Sequence, residues 1–299
     1  MAAEGKSDPA RPPNNRDVAS AATLYLVATP IGNLEDITLR AIRVLKEVDL
    51  IACEDTRQTQ KLLSHYGITS RTTSYHEHNE TDRAAELAKE LEHGRSIAVV
   101  TDAGMPGISD PGFRLVSLAI AQGFPVVPIP GASAFVAALA AAGLPTDSFR
   151  FNGFLPARAG QRRQTLEDIR LSTQTEVFYE APHRLTETLE DVVELLGSGR
   201  PVVVAREITK MYEEFLRGPA SEVLDTLNAR DQVKGEITLL IGKAEDAGTE
   251  ATVSSITVRQ RVNEIMSAEN LDEKTALKKV AKERGISKSE AYRELQRSK

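Results

Sequence analysis

The sequence predicts an α/β protein built from two successive α/β domains, with a small helical unit at the end. Three observations carry that expectation. Short apolar, β-branched runs alternate with helical patterns through the first half, the pattern changes near Gly143-Leu144-Pro145, and beyond the polar stretch 245–255 only helical spacings remain. A mostly parallel sheet covered by helices is the arrangement that such alternation requires.

Taken in order, Leu24 to Thr29 reads as a strand, followed by the turn Pro30-Ile31-Gly32-Asn33. Thr38 to Lys46 has helical spacing, with Leu39, Ile42 and Leu45 expected on one buried face. Strand 49–53, helix 56–65 and a weaker strand over 70–75 follow. Asn79-Glu80-Thr81-Asp82 opens a helix that ends near His93-Gly94. Ser96 to Val100 is a buried strand that runs into Thr101-Asp102-Ala103-Gly104-Met105-Pro106-Gly107-Ile108-Ser109-Asp110-Pro111-Gly112, and a helix starts at about Phe113. That loop has three glycines and two prolines, more than a simple strand-to-helix turn needs. It predicts a rigid, side-chain-poor ligand loop at a carboxyl sheet edge. Strand 126–129 and the small-residue helix 133–142 complete the first half.

The second half opens with Phe149 to Leu155, an alternating, half-exposed strand. Helix 161–171, strand 176–179, helix 183–196, strand 202–205, helix 220–229 and strand 236–241 follow. The expected organisation is a disordered extension over 1–22, a first α/β domain over 23–145, a second over 146–245, and a small helical domain over 256–299. Within the last, a helix ending at Gly285 and a second one capped by Ser287, with Glu290 three residues on, have helix-turn-helix form. A plain αα-hairpin fits that stretch equally.

Composition excludes several classes. Hydrophobic residues make up 41% of the 299 and charged residues 27%, as in a soluble protein with a sizeable core. No apolar run approaches the roughly 20 residues that span a bilayer, and the first 20 residues lack the apolar stretch of a secretion signal. The single Cys53 excludes an internal disulfide and fits a reducing cytoplasm. The net charge is −6, but residues 256–299 hold 11 Lys plus Arg against 7 Asp plus Glu. A net +4 tail on a body of −10 is an electrostatic handle for a phosphate backbone. Neither a GxxxxGK[ST] loop nor a GxGxxG after the first strand is present, so a ligand held by main chain and lacking phosphates is expected. His76-Glu77-His78 finds no partner cluster in the sequence, and no metal is expected. Glu180, His183 and Arg184 end one strand, and Arg206, Glu207 and Lys210 end another, so charged groups gather at the same kind of sheet edge as the glycine loop.

Eight segments in order resemble the tetrapyrrole methylase superfamily and, within it, its branch of small-subunit ribosomal RNA methyltransferases. They are Val27 to Leu34, Cys53 to Arg57, Tyr75 to Asn79, the 101–112 loop, Pro130 to Ala134, Asn152 to Pro156, Tyr179 to Arg184 and Arg206 to Lys210. The resemblance covers about residues 23–243. It implies two α/β domains of the tetrapyrrole methylase type with a cleft between them, usually dimeric, and S-adenosylmethionine as methyl donor. It implies donor contacts at Pro30, Asp102, Ala103, Met105, Ser133, Ala134, Glu180 and Ile208. It implies as activity the 2′-O-methylation of a cytidine in the decoding region of 16S ribosomal RNA. The chain departs from the wider superfamily in having Pro30-Ile31-Gly32-Asn33 in its first loop and Asp102-Ala103-Gly104 in place of Gly-Asp-Pro.

A ribose hydroxyl is a poor nucleophile at neutral pH and benefits from a general base. Glu180, His183, Glu207 and Lys210 are the candidates, with Arg57, Arg184 and Arg206 expected to hold phosphates. The expected partner is 16S ribosomal RNA, within the small subunit, with no membrane and a homodimeric assembly. Three other readings compete: a methyltransferase acting on a tetrapyrrole precursor, a non-catalytic RNA-binding assembly factor, and a helix-turn-helix regulator with a ligand domain.

Overall fold

A computed structural model describes residues 22–244 and, beyond them, 261–263, 265–266, 271–283, 291–292 and 295. All but residue 22 of the expected extension over 1–22, and the turn bearing Gly285, Ser287 and Glu290, lie outside the described residues. Two compact units are formed, Met1–Ala244 and Glu245–Lys299.

In the first unit, strands β1 (Leu24–Val27), β2 (Leu50–Cys53), β3 (Arg71–Ser74), β4 (Ile97–Val100) and β5 (Val126–Ile129) form one sheet in the order β3-β2-β4-β1-β5, parallel throughout. Parallel neighbours need crossovers, which helices α1 (Leu39–Glu47), α2 (Thr56–His65), α3 (Glu80–Glu92) and α4 (Phe113–Ala121) supply. Alternation along the strands splits the core into two layers. Val27, Ile51, Val100 and Ile129 pack with Val44, Leu45 and Leu63 on one face. Leu24, Ile97 and Val99 pack with Leu87, Leu91 and Leu115 on the other. Thr38 caps α1 through its side chain, which accepts from the Ala41 N–H at 3.1 Å. The expected face of α1 is corrected: Ala41, Val44 and Leu45 are buried, while Leu39 is 87% exposed. Leu39 is the first helical residue, and the phase of the buried stripe runs through the small Ala41 instead.

A second sheet has the order β6-β7-β10-β8-β9, from β6 (Phe149–Phe154), β7 (Thr175–Glu180), β8 (Pro201–Arg206), β9 (Glu214–Pro219) and β10 (Ile237–Ile241). Only β6 and β7 pair parallel; β7–β10, β10–β8 and β8–β9 are antiparallel. Strand β9 has no counterpart in the sequence-based expectation. Its Glu, Arg, Gly and Pro suppress strand propensity, and an edge position pairing only with β8 tolerates them. Helices α6 (Ala159–Asp168), α7 (Leu185–Leu196) and α8 (Ala220–Asn228) cover one face, through Leu166, Leu189, Val192 and Val223 on Phe178, Val204 and Leu239.

The other face is covered by α5 (Ala134–Ala142), which follows the last strand of the first sheet. Ala138, Leu139 and Ala142 pack with Val177, Val203, Ala205 and Leu240, and Ile31 and Ile208 join the same cluster. The change of pattern at 143–148 therefore separates the two sheets, while the helix before it packs on the second sheet and reaches the first half through Ile31 of the β1 loop. Arg217 secures the C-terminal end of α5, donating to the carbonyls of Ala141 at 2.9 Å and Ala142 at 3.2 Å.

In the second unit, α9 (Glu273–Glu283) contributes Ala276, Leu277, Val280 and Ala281 to a small core with Val262, Ile265, Ala291 and Leu295. Among the described residues no helix is long and apolar enough to cross a membrane.

Leu139 is 5% exposed in the seam beneath α5. Leu139→Ala is expected to lower unfolding free energy by about 2–4 kcal/mol, read by urea denaturation; a change under about 1 kcal/mol would show that the seam collapses around the cavity.

Candidate active site

Strands β1 and β4 are neighbours, so the loops at their carboxyl ends lie side by side. The Thr29 N–H donates to the Gly104 carbonyl at 2.9 Å and the Gly104 N–H returns the bond to Thr29 at 3.1 Å. The Thr29 hydroxyl also donates to the Thr101 carbonyl at 3.1 Å. Farther along the β4 loop, the Gly107 N–H donates to Pro111 and the Gly112 N–H to the Glu80 carboxylate, both at 3.1 Å. The glycine loop is thus pinned at its start, middle and end.

From the other sheet come the end of β7 and the turn after β8. The Glu180 side chain is fully buried and accepts from Ala181 N–H at 2.6 Å, Arg184 at 2.6 Å and the Thr188 hydroxyl at 2.7 Å. In the turn after β8, Glu207 and Thr209 have φ of 52° and 67°, and Lys210 bridges Glu207 and Glu236 at 3.0 Å each. The two halves touch here. The Asn33 N–H donates to the Thr209 hydroxyl at 3.1 Å, and a Cβ on Gly32 would lie 2.4 Å from Lys210 Cγ. Only glycine permits that approach. Gly235 is likewise required: its φ is 95°, and a Cβ would meet the Glu207 side chain at 2.4 Å.

Between these parts lies a cavity of about 360 Å³. Ala103, Met105, Ser133, Ala134, Glu180 and Ile208, six of the eight expected donor residues, line it. The remaining two, Pro30 and Asp102, line a second cavity of about 390 Å³ between the β1 loop and α2. Ala103 and Glu236 belong to both. The first cavity has Ile31, Ile108, Ile237 and Tyr179 in its wall and no Lys or Arg, the lining for a largely apolar ligand without phosphates.

Of the expected bases, Glu180 is committed to three donors, and Glu207 to the Glu236 N–H at 2.9 Å and to Lys210. The backbone N–H of Glu236, followed by Lys210, holds the Glu207 carboxyl below the usual range. Burial pulls Lys210 down, but the Glu236 and Glu207 carboxylates outweigh it and leave the ammonium favoured. His183 is exposed and lines neither cavity. Among the expected phosphate ligands, Arg184 holds Glu180 and Arg206 holds Glu214 at 3.0 Å. Arg57, beside Asp55, keeps a side chain 89% exposed.

The sequence reading missed Asp110 and the start of β10, Gly235 to Thr238, as cavity lining. Asp110 sits in the quoted loop, but nothing local marks it as inward-facing. Gly235 was the available signal. Burial, then the Glu54 and Asp102 charges, push the Asp110 carboxyl up to about 7. Among the described residues, no three metal-ligating side chains gather to hold an ion.

The family model described as Tetrapyrrole (Corrin/Porphyrin) Methylases matches residues 23–224. The chain is 52% identical over 273 residues to the ribosomal RNA small subunit methyltransferase I of Halalkalibacterium halodurans, covering 90% of this chain and 93% of that one. The chain belongs to the ribosomal RNA small subunit methyltransferase I family. Within that methyltransferase family it is also 44% identical to the Pseudomonas aeruginosa protein of that name, over 92% of this chain and 97% of the relative, and 45% identical to the Bacillus subtilis one, over 90% and 92%. Solved structures share the fold: a Thermus thermophilus uroporphyrin-III-C-methyltransferase at TM-score 0.54 and 20% identity, covering 75% of this chain and 95% of that one, and a diphthine synthase at 0.57 and 14%, covering 74% and 90%.

Because the Asp110 pKa is raised on folding, its stabilising contribution is complete below the unfolded value of 3.8 and is lost as pH rises through about 7. Asp110→Asn removes that loss. Thermal melts from pH 5 to pH 8 are expected to show the variant gaining on the wild type as pH rises; a gap independent of pH would refute the assignment.

Proposed function

We propose that this family member transfers a methyl group from S-adenosylmethionine to the ribose 2′-hydroxyl of a cytidine in the decoding region of 16S ribosomal RNA, in the cytoplasm, as a homodimer acting on the small subunit. The observation that carries the reading is the first cavity: a largely apolar space without basic groups, formed where the β1 and β4 loops meet the ends of β7 and β8. The names of the relatives support the substrate. They also weigh against a tetrapyrrole acceptor and against a non-catalytic assembly factor.

The residues fit the donor. Ile31, Met105, Ile208 and Ile237 offer apolar surface for a nucleoside face, and Ser133 and Thr238 offer hydroxyls beside it. When bound, the donor supplies a sulfonium methyl whose carbon bonds to the acceptor oxygen as the C–S bond breaks, leaving a neutral thioether and releasing the hydroxyl proton. Alignment of the two reactants is what this rigid scaffold contributes most to the rate. The Glu180–Arg184–Thr188 lock favours a positioning role for Glu180 and Arg184, with Glu180 forming cavity wall. Glu207 and Lys210 hold Glu236 at the junction of the two cavities, so their part in proton removal is indirect. Arg57 is the best placed of the three arginines to meet phosphate. Arg206 steadies β9 through Glu214, and His183 is left as a surface contact to RNA.

Incubating the protein with labelled donor and small-subunit particles, then digesting the RNA and mapping the label, tests the activity. Label on one cytidine ribose is expected; label on a base, or none with donor bound, would overturn it. Ala134→Phe, which fills the first cavity from the N-terminal turn of α5, should weaken donor binding at least tenfold by calorimetry and leave the melting temperature within a few degrees. Undiminished binding would place the donor elsewhere.

A further inference from the structure

The second cavity has no part in donor binding beyond Pro30 and Asp102, yet it opens beside the first and shares Ala103 and Glu236 with it. A methyl acceptor must lie beside the donor, and this cavity borders the first at Ala103 and Glu236. Its lining differs in kind. Gln58 and Lys61 come from the exposed face of α2, Leu34 is 39% exposed, and the Thr59 hydroxyl is buried against the Cys53 thiol. Lys61 donates to the Gln58 carbonyl oxygen at 2.8 Å, which leaves the Gln58 amide N–H groups as donors toward the cavity.

We propose that this second cavity is the acceptor compartment and takes a single nucleoside turned out of its strand, with Leu34 against the base, Gln58 reading its edge and Lys61 at the adjoining phosphate. The proposal rests on the RNA methyltransferase reading above. Three properties favour a nucleoside. At about 390 Å³ the compartment lies near the small end of ligand sites, roughly 300–1,000 Å³, which suits one nucleoside better than a macrocycle. Its mixture of an apolar wall and an amide matches an unstacked base with a hydrogen-bonding edge. Its cation lies at the rim, on the same helix as the exposed Arg57, where a backbone phosphate would pass. The ribose then falls toward Ala103 and Glu236, the point at which the two cavities join, and Lys210 holds the Glu236 carboxylate there.

The test uses the full-length protein, S-adenosylmethionine and small-subunit particles. Gln58→Trp plugs the second cavity from an exposed helical position, and Lys61→Ala removes the cation. Donor affinity of both variants, by calorimetry, should stay within about twofold of wild type. RNA methylation is expected to fall by about a hundredfold in kcat/KM for Gln58→Trp. For Lys61→Ala, KM is expected to rise about tenfold with kcat little changed, the loss of about one charged contact. Wild-type kcat/KM in Gln58→Trp would overturn the compartment, and so would loss of donor binding, since the two cavities would then be one site. Wild-type protein that binds donor but leaves the RNA unlabelled would instead sink the RNA reading on which the proposal stands. Labelling of a tetrapyrrole precursor that Gln58→Trp blocks would overturn the nucleoside assignment alone.

Discussion

The apolar seam between α5 and the second sheet is the contact on which the site depends. Ala138, Leu139 and Ala142 lie against Val177, Val203, Ala205 and Leu240, and the cluster runs on into Ile31 and Ile208. Those last two are also cavity wall. The packing that joins the two sheets and the surface that meets a ligand are therefore one continuous layer. Such a layer, close-packed and short of polar atoms, resists shear far better than a hinge of loops would. The cavity needs little closure to acquire its shape, and the polar bonds across the seam, Arg217 to the end of α5 and Asn33 to Thr209, act on an already seated interface.

Electrostatics at the site follow the same division of labour. Carboxylates near the second sheet are paired: Glu180 with Arg184, Glu214 with Arg206 and Arg230, Glu207 with Lys210. At the loop ends of the first sheet, Glu54, Asp102 and Asp110 instead repel one another. Asp110 rises toward neutrality, and burial with the charge on Asp102 pushes Glu54 up as well. One wall of the site is charge-compensated and stiff, and the facing wall holds negative charge in excess. A cationic sulfur brought between them meets the wall that gains most from it.

The parallel sheet was readable from the chain because each of its strands is a run of apolar residues followed by a helical period, and the glycine loop was readable because five Gly and Pro residues crowd twelve positions. Strand β9 was not, since its residues disfavour strands and only its pairing with β8 makes it one. The α1 face was misplaced by treating Leu39 as core when Ala41 serves. Six of the eight residues expected at the donor line the first cavity together, because short segments at strand ends carry local signals. Asp110 and Glu236 escaped notice because their importance arises from which segments the two sheets bring together. Likewise the roles of Glu180 and Arg184 could be named as charged residues at an edge, but their mutual lock depends on Thr188, one turn into the next helix.

The first cavity is walled largely by small or aliphatic residues. Recognition of that sort is spread over many weak contacts, so evolutionary drift at most wall positions changes affinity little, and inherited loss of the ligand has few single-letter routes. Those routes pass through the backbone. Gly32 and Gly235 are two of them, each a place where one added carbon collides with the neighbouring chain. Selection against change should therefore press harder on these two featureless residues than on the more conspicuous charged groups nearby, and an inactive lineage is more readily reached by altering how the chain bends than by altering what it displays.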